Sequence, residues 1–90
     1  MSIKVNLHQN LHHLTNGQDV AEVSGNTIGQ YLEHLIKQFL AIERGLFDKQ
    51  GKLLNYIDIY VNGESVYPEE LAKSVKDGEE LSIILIIAGG

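Results

Sequence analysis

The sequence predicts an α+β fold in which a mixed sheet of four to five strands is covered on one face by one long helix. Alternating apolar and polar residues mark strands at 3–7 and 57–61. A single apolar stripe at helical spacing begins after Thr27, so this helix is expected to cover one face of one sheet. The last strand, 80–87, is nearly all apolar, which is typical of a central strand beside a parallel neighbour.

The N-terminal segment carries the signals of a hairpin. Asn16 and Gly17 form a dipeptide that favours tight turns, because both residues tolerate a positive φ. The return strand is expected at 18–24, with Val20 and Val23 as its apolar residues. Its alternation is imperfect, which indicates either an edge position or a bulge.

The helix has a recognisable start and a predicted end. Thr27 and Gln30 have the spacing of a capping box. Gly45 is the predicted stop, and 46–55 is expected to be a polar loop. The apolar stripe between these ends comprises Ile28, Leu32, Leu35, Ile36, Phe39 and Leu40.

A second hairpin is predicted in the C-terminal half. The dipeptide Asn62-Gly63 closes the strand before it, and a short partner strand is expected at 64–67. A helical turn is expected to start at the single proline, with Leu71 and Val75 packing inward from it. The first and last strands are then expected to lie side by side.

Composition excludes several classes of function. The chain has 90 residues, a formal net charge of −5 and no cysteine. The charge argues against a nucleic-acid partner, and the missing thiol excludes disulfides, zinc thiolates and a cysteine nucleophile. The longest apolar run is too short to span a bilayer. We therefore expect one domain over 1–90 in the cytoplasm, with no nucleic-acid or membrane partner.

Two motifs that suggest bound ligands do not meet the requirements of their sites. The stretch GLFDKQGK at 45–52 has the wrong glycine spacing for a phosphate loop and lacks its hydroxyl residue. His8, His12 and His13 do not complete a metal-ligand set, and we interpret them as exposed imidazoles. No metal or cofactor is expected to bind this chain.

The C-terminal dipeptide carries the chemistry that the rest of the chain lacks. Gly89 and Gly90 directly follow the last strand, and we expect a flexible tail from about residue 87. Without side chains, such a tail can enter a narrow channel in another protein and leaves its α-carboxylate unhindered. Adenylation by ATP would activate this carboxylate, and a sulfur donor could then replace AMP to give a thiocarboxylate. A partner enzyme must supply the ATP, because no ATP-binding motif is present.

Two long motifs carry a family resemblance. DIYVNGE at 58–64 and VKDGEELSIILIIAGG at 75–90 resemble the ubiquitin-like sulfur carrier family, which includes the small subunit of molybdopterin synthase and the thiamin sulfur carrier. The resemblance implies a β-grasp (ubiquitin-like) fold and an activated Gly90, with Gly89 and Ala88 threading into partners. It also implies an E1-like adenylating enzyme and a sulfur-accepting enzyme as partners.

Within that family, one branch is most similar. GNTIGQYLEHL at 25–35 and GKLLNYIDIYVN at 51–62 resemble carriers that deliver sulfide for cysteine or homocysteine synthesis. The recipient would then be a sulfhydrylase that holds pyridoxal phosphate. Leu85 stands where many relatives have proline, which weakens the branch assignment. The alternatives are a molybdopterin synthase subunit, the thiamin carrier, a protein modifier conjugated through Gly90, and an interaction domain whose terminal glycines are incidental.

Alternation along the last strand predicts a docking surface. Leu81, Ile83 and Leu85 are expected to face the helix, so Ile84 and Ile86 face the other side of the sheet. A partner that receives the tail needs an anchor beside it. We expect an exposed apolar patch for this purpose, made of Tyr60, Ile84, Ile86 and Ile87.

Overall fold

The computed structural model describes residues 2–66 and 71–86, which contain five strands and three helical segments. The strands are β1 Ser2–Leu7, β2 Val20–Ser24, β3 Ile57–Val61, β4 Glu64–Ser65 and β5 Leu81–Leu85. The helices are a 3₁₀ helix Gln9–Leu14, α1 Ile28–Gln38 and α2 Ile42–Leu46.

The strands form one mixed sheet in the order β2-β1-β5-β3-β4. The first and last strands are parallel, with Val5 opposite Leu81, and the other neighbours are antiparallel. β5 therefore lies at the centre of the sheet, as its apolar sequence predicted. The mixed sheet covered by a helix confirms the predicted α+β, β-grasp architecture.

The first connection is longer than a two-residue hairpin. Asn16 and Gly17 do adopt positive φ angles of 55° and 80°, but they follow the 3₁₀ helix, which the sequence pattern did not reveal. This helix forms because Leu11 packs into the core, leaving only 2% of its surface exposed. His8 caps it, since its Nδ1 accepts the Asn10 N–H at 3.1 Å.

The return strand occupies the sheet edge, which is one of the two arrangements that its sequence predicted. Ala21 and Val23 are buried, whereas Val20 is 39% exposed, so only one of the two expected apolar residues faces the core. The alternation of β2 is regular once alanine is counted as an apolar residue, so no bulge is needed.

The start of α1 confirms the predicted capping box. The Thr27 hydroxyl accepts the Gln30 N–H at 3.3 Å, and the Gln30 amide oxygen accepts the Thr27 N–H at 3.4 Å. Two further helical N–H groups, those of Ile28 and Gly29, donate to the carbonyls of Lys73 and Leu71 at 2.9 Å. The segment that precedes β5 thereby holds the N-terminus of the helix.

The long helix ends earlier than predicted. α1 stops at Gln38, and Gly45 lies inside α2 and does not end a single helix. A Cβ at Gly45 would approach the Leu14 Cδ1 to 2.6 Å, so glycine allows α2 to pack against the 3₁₀ helix. Leu40, which the helical stripe predicted to be inward, is 76% exposed because it falls in the turn between the two helices.

The second hairpin forms as predicted, although its return strand is shorter. Asn62 and Gly63 have φ angles of 52° and 84°, as a tight turn between twisted strands requires. Their partner strand β4 comprises only Glu64–Ser65. The predicted helical start at Pro68 lies outside the described residues.

The core contains one residue that the helical stripe did not predict. Tyr31 is fully buried between α1 and the segment before β5, and its hydroxyl donates to the Val75 carbonyl at 3.0 Å. Val75 is buried, as predicted, but Leu71 is 38% exposed, so its predicted inward packing was wrong. The remaining core residues lie on the strands and on the two α-helices: Ile3, Val5, Leu7, Ile28, Leu32, Leu35, Ile42, Leu46, Ile57, Ile59, Val61, Leu81 and Ile83.

Because Tyr31 is buried, we expect the protein to lose folding stability at alkaline pH. Its burial, followed by the charges of Asp77 and Glu79, raises the pKa of Tyr31 above the usual 10.0. The folded state holds this proton more tightly than the unfolded state. The resulting stability is therefore present below about pH 10 and is lost as the pH rises toward the raised pKa.

We expect Tyr31→Phe to cost about 1 kcal/mol of unfolding free energy at neutral pH, because the buried Val75 carbonyl loses its donor. Above about pH 10 the cost should shrink, since phenylalanine has no proton to lose. Urea unfolding at both pH values tests this, with exposed Tyr56→Phe as the control. An equal cost at both pH values would contradict the assignment.

Candidate functional site

At the carboxyl end of β5, main-chain hydrogen bonds to the β3 side continue further along the strand than those to the β1 side. Toward β3, the Ile86 N–H donates to the Tyr56 carbonyl at 2.7 Å. Toward β1, the last contact runs from the His8 N–H to the Ile83 carbonyl at 3.2 Å. β1 stops pairing first because the chain turns into the 3₁₀ helix. The last described residue, Ile86, therefore lies alongside the start of β3.

The predicted tail residues lie beyond this point. Ile87, Ala88, Gly89 and Gly90 are outside the described residues, so their roles remain predictions. Ile86 is the last described residue before them. The sheet thus fixes where the C-terminal segment starts.

Three of the predicted docking residues, Tyr60, Ile84 and Ile86, lie on the face of the sheet opposite α1, which we call the open face. Leu81 and Ile83 are buried toward the helix, whereas Ile84 is half-buried and Ile86 is 49% exposed. Tyr60 is also half-buried and pairs with Ser82. Because Ser82 is two residues from Ile84, Tyr60 and Ile84 are diagonal neighbours on this face. The structure therefore brings them together as the alternation predicted.

Polar groups that the sequence analysis did not single out surround this apolar patch. Asp58 pairs with Ile84 across the sheet, and the Ser65 hydroxyl contacts its two carboxylate oxygens at 3.0 and 3.1 Å. On the other side, the Asn6 amide donates to the Ser82 hydroxyl at 3.3 Å. Both pairs follow from strand register, which a single strand's periodicity does not reveal.

Ile86, the last described residue, also lines a groove. The groove has a volume of about 510 Å³. Its apolar lining includes Leu53 and Leu54, which the sequence analysis placed in a polar loop. Leu54 is held in place by a bond from its N–H to the Leu46 carbonyl at 2.8 Å. The full lining is Leu53, Leu54, Asn55, Ile57, Asp58, Ser65 and Ile86.

The opposite end of the open face is acidic. A second groove of about 540 Å³ lies there, between the starts of β1 and β5 and the edge strand β2. Its charged lining residues are Lys4, Glu22, Asp77, Glu79 and Glu80. The open face thus has an apolar end at Ile86 and a negative end at the start of β5.

His13 is exposed, as predicted, but His8 and His12 are half-buried and take part in local structure, so interpreting these two as exposed imidazoles was wrong. His8 caps the 3₁₀ helix, and the His12 Nε2 lies 3.0 Å from the Leu7 carbonyl. Within residues 2–66 and 71–86, no group of three or more His, Cys, Asp or Glu side chains is placed to hold a metal ion. In the same part of the chain, no helix has the length and apolar character needed to cross a membrane.

Sequence comparisons identify close relatives across the whole chain. The model of the ThiS family matches residues 5–90. The sulfur carrier protein CysO of Mycobacterium tuberculosis is 33% identical over 93 residues, and the match covers all of both chains.

Solved structures agree with this similarity. CysO in a BexX/CysO complex from Amycolatopsis orientalis superposes with a TM-score of 0.86 at 30% identity, over 98% of this chain and 99% of that one. The small archaeal modifier protein 1 of Methanosarcina acetivorans gives 0.86 at 27% identity, over 99% and 96%. The chain therefore belongs to the ThiS family and is a ubiquitin-like sulfur carrier with a β-grasp fold.

Proposed function

We propose that this carrier stores sulfur as a thiocarboxylate on Gly90 and delivers it for the synthesis of cysteine or homocysteine. The observation that carries the proposal is the full-length similarity to CysO in a chain whose central strand leads directly into Gly89-Gly90. The chain acts as a protein co-substrate, and the enzymes that modify it supply the catalytic groups.

The proposed loading consists of two steps at one carbonyl carbon. A Gly90 carboxylate oxygen attacks the α-phosphorus of ATP, and pyrophosphate leaves. Hydrosulfide then attacks the acyl carbon, AMP leaves with the activated oxygen, and loss of the S–H proton leaves a thiocarboxylate. The E1-like adenylating partner binds the ATP, and pyridoxal phosphate belongs to the sulfhydrylase that accepts the sulfur.

The open face is the proposed docking surface for these partners. Tyr60, Ile84, Ile86 and Ile87 would anchor the carrier, and Gly89 and Ala88 would pass into the partner's channel. An apolar anchor surrounded by satisfied polar pairs has the composition of an interface core with its rim. The negative end of the face would steer the carrier toward a basic partner surface.

A protein-modifier function is the second candidate. It is favoured by the superposition on small archaeal modifier protein 1 at 27% identity over nearly the whole chain. Conjugation would use the same adenylate, but a lysine amine of a target protein would attack the acyl carbon in place of sulfur. Roles in molybdopterin or thiamin synthesis would share the sulfur chemistry and differ only in the recipient.

Intact-mass measurement distinguishes sulfur loading from protein modification. The protein is incubated with ATP, sulfide and an E1-like adenylating enzyme from the same genome, with an identical sample that lacks ATP as the control. We expect an ATP-dependent mass increase equal to one oxygen-to-sulfur exchange, which fragmentation localises to Gly90. Isopeptide-linked adducts without this exchange would support the modifier function, and an unchanged mass with an enzyme that loads CysO would contradict both.

A further inference from the structure

The outer edge of β2 is closed by two side chains of α1. β2 is an edge strand, paired with β1 on one side only. On its other side, the Ser24 N–H donates to the His34 Nδ1 at 2.7 Å, and the Gln38 side-chain amide donates to the Glu22 carbonyl at 2.7 Å. We call His34 and Gln38 the edge latch.

The latch residues are four positions apart, so they project from the same face of α1. They satisfy one outward N–H and one outward carbonyl of β2. Unpaired groups of this kind on an edge strand are a template for pairing with another strand. The latch therefore protects this edge.

The two halves of the latch differ in their response to protons. The Gln38 amide does not titrate, whereas imidazole changes charge in the range between pH 5 and 8. Because the His34 Nδ1 accepts a hydrogen bond, the ring must be neutral with its proton on Nε2. An imidazolium carries protons on both nitrogens and has no acceptor for the Ser24 N–H.

We propose that His34 is a pH-sensitive latch, whose protonation releases the Ser24 N–H and opens part of the β2 edge. A proton from solvent adds to Nδ1, the hydrogen bond breaks, and the amide turns to water. Gln38 still holds Glu22, so the opening stays local. The charged residues of the two elements are Glu22 of β2 and Glu33 and Lys37 of α1. This proposal is independent of the chemistry at Gly90.

Amide hydrogen exchange gives a direct test with an internal control. The Asn26 N–H also donates to a helix side chain, but its acceptor is the Gln30 amide oxygen, at 2.8 Å, which does not titrate. The measured quantity is the protection factor of the Ser24 N–H divided by that of the Asn26 N–H. We expect this ratio to fall about five-fold when the pH is lowered from about 7.5 to about 5, which corresponds to the loss of one modest hydrogen bond. The ratio removes the pH dependence of chemical exchange.

Two variants separate protonation from general loosening. His34→Gln keeps an acceptor that cannot titrate, so the Ser24-to-Asn26 ratio should become independent of pH. His34→Ala should give the low ratio at both pH values. In the wild type, ¹⁵N shifts of the ring should show an unprotonated Nδ1 at the higher pH. An unchanged wild-type ratio, or a ring protonated at Nδ1 at that pH, would overturn the proposal.

Discussion

Removing Gly89 and Gly90 should abolish sulfur loading and leave the fold intact. The described core ends at β5, and the last main-chain bond before the tail comes from the Ile86 N–H. Because neither glycine belongs to that core, the unfolding free energy should stay within about 0.5 kcal/mol of that of the full chain. Loading should become undetectable, since the carboxylate would end on Ala88 and be two residues too short for the partner's channel.

A complementary variant tests the position of the carboxylate separately from the presence of the glycines. Adding one serine after Gly90 keeps both glycines but converts the Gly90 carboxylate into a peptide bond. This variant should also fail to gain sulfur, while its urea unfolding curve matches that of the full chain. The measurement is the intact mass after incubation with ATP, sulfide and the adenylating enzyme. Sulfur gained at the normal rate by either variant would show that Gly90 is not the acceptor.

The frame of the fold was predictable because local and long-range requirements agree. β3 alternates strictly, and α1 carries a consistent stripe with a complete capping box. β5 is apolar on both faces, since its inward residues fill the core and its outward residues Ile84 and Ile86 form the patch. A strand of that kind has few stable positions other than the centre of a sheet.

The features that were missed depend on contacts between distant segments. Tyr31 was not assigned to the core because burial of a phenol requires an acceptor, and that acceptor is the carbonyl of Val75, 44 positions away. Gly45 suggested a helix end, but its missing Cβ instead accommodates Leu14. Leu53 and Leu54 follow a polar run, and only the folded chain places them beside Ile86.

In the candidate site, the sequence predicted the docking side chains but not the polar groups around them, again because the latter depend on contacts between distant segments. The docking side chains follow from period-two alternation, which fixes the face on which Tyr60 and Ile84 lie. The polar rim depends on which residues lie opposite one another, as Asp58 does for Ile84. Register of this kind arises from the pairing of separate strands, so it becomes visible only when both strands are in place.

Substitution by alanine should destabilise the protein far more at Ile83 than at its neighbour Ile84 in β5. Ile83 is fully buried beneath α1, so Ile83→Ala should cost about 2–5 kcal/mol of unfolding free energy through lost contacts and the cavity left behind. Ile84 is half-buried on the open face, and Ile84→Ala should cost about 1 kcal/mol or less. Urea unfolding of the two variants measures this difference directly.

The same two variants, Ile83→Ala and Ile84→Ala, distinguish an effect on folding from an effect on docking to a partner. The rate of sulfur loading, measured per folded molecule, should be nearly normal for Ile83→Ala, because that side chain faces the core and touches no partner. Ile84→Ala should slow loading by about 5- to 30-fold, which corresponds to the loss of about 1–2 kcal/mol at an anchor residue. If Ile84→Ala loads normally while Ile83→Ala is destabilised as expected, the fold assignment stands and docking must use another surface. If both variants lose stability equally, β5 does not present one face to the helix and the other to a partner.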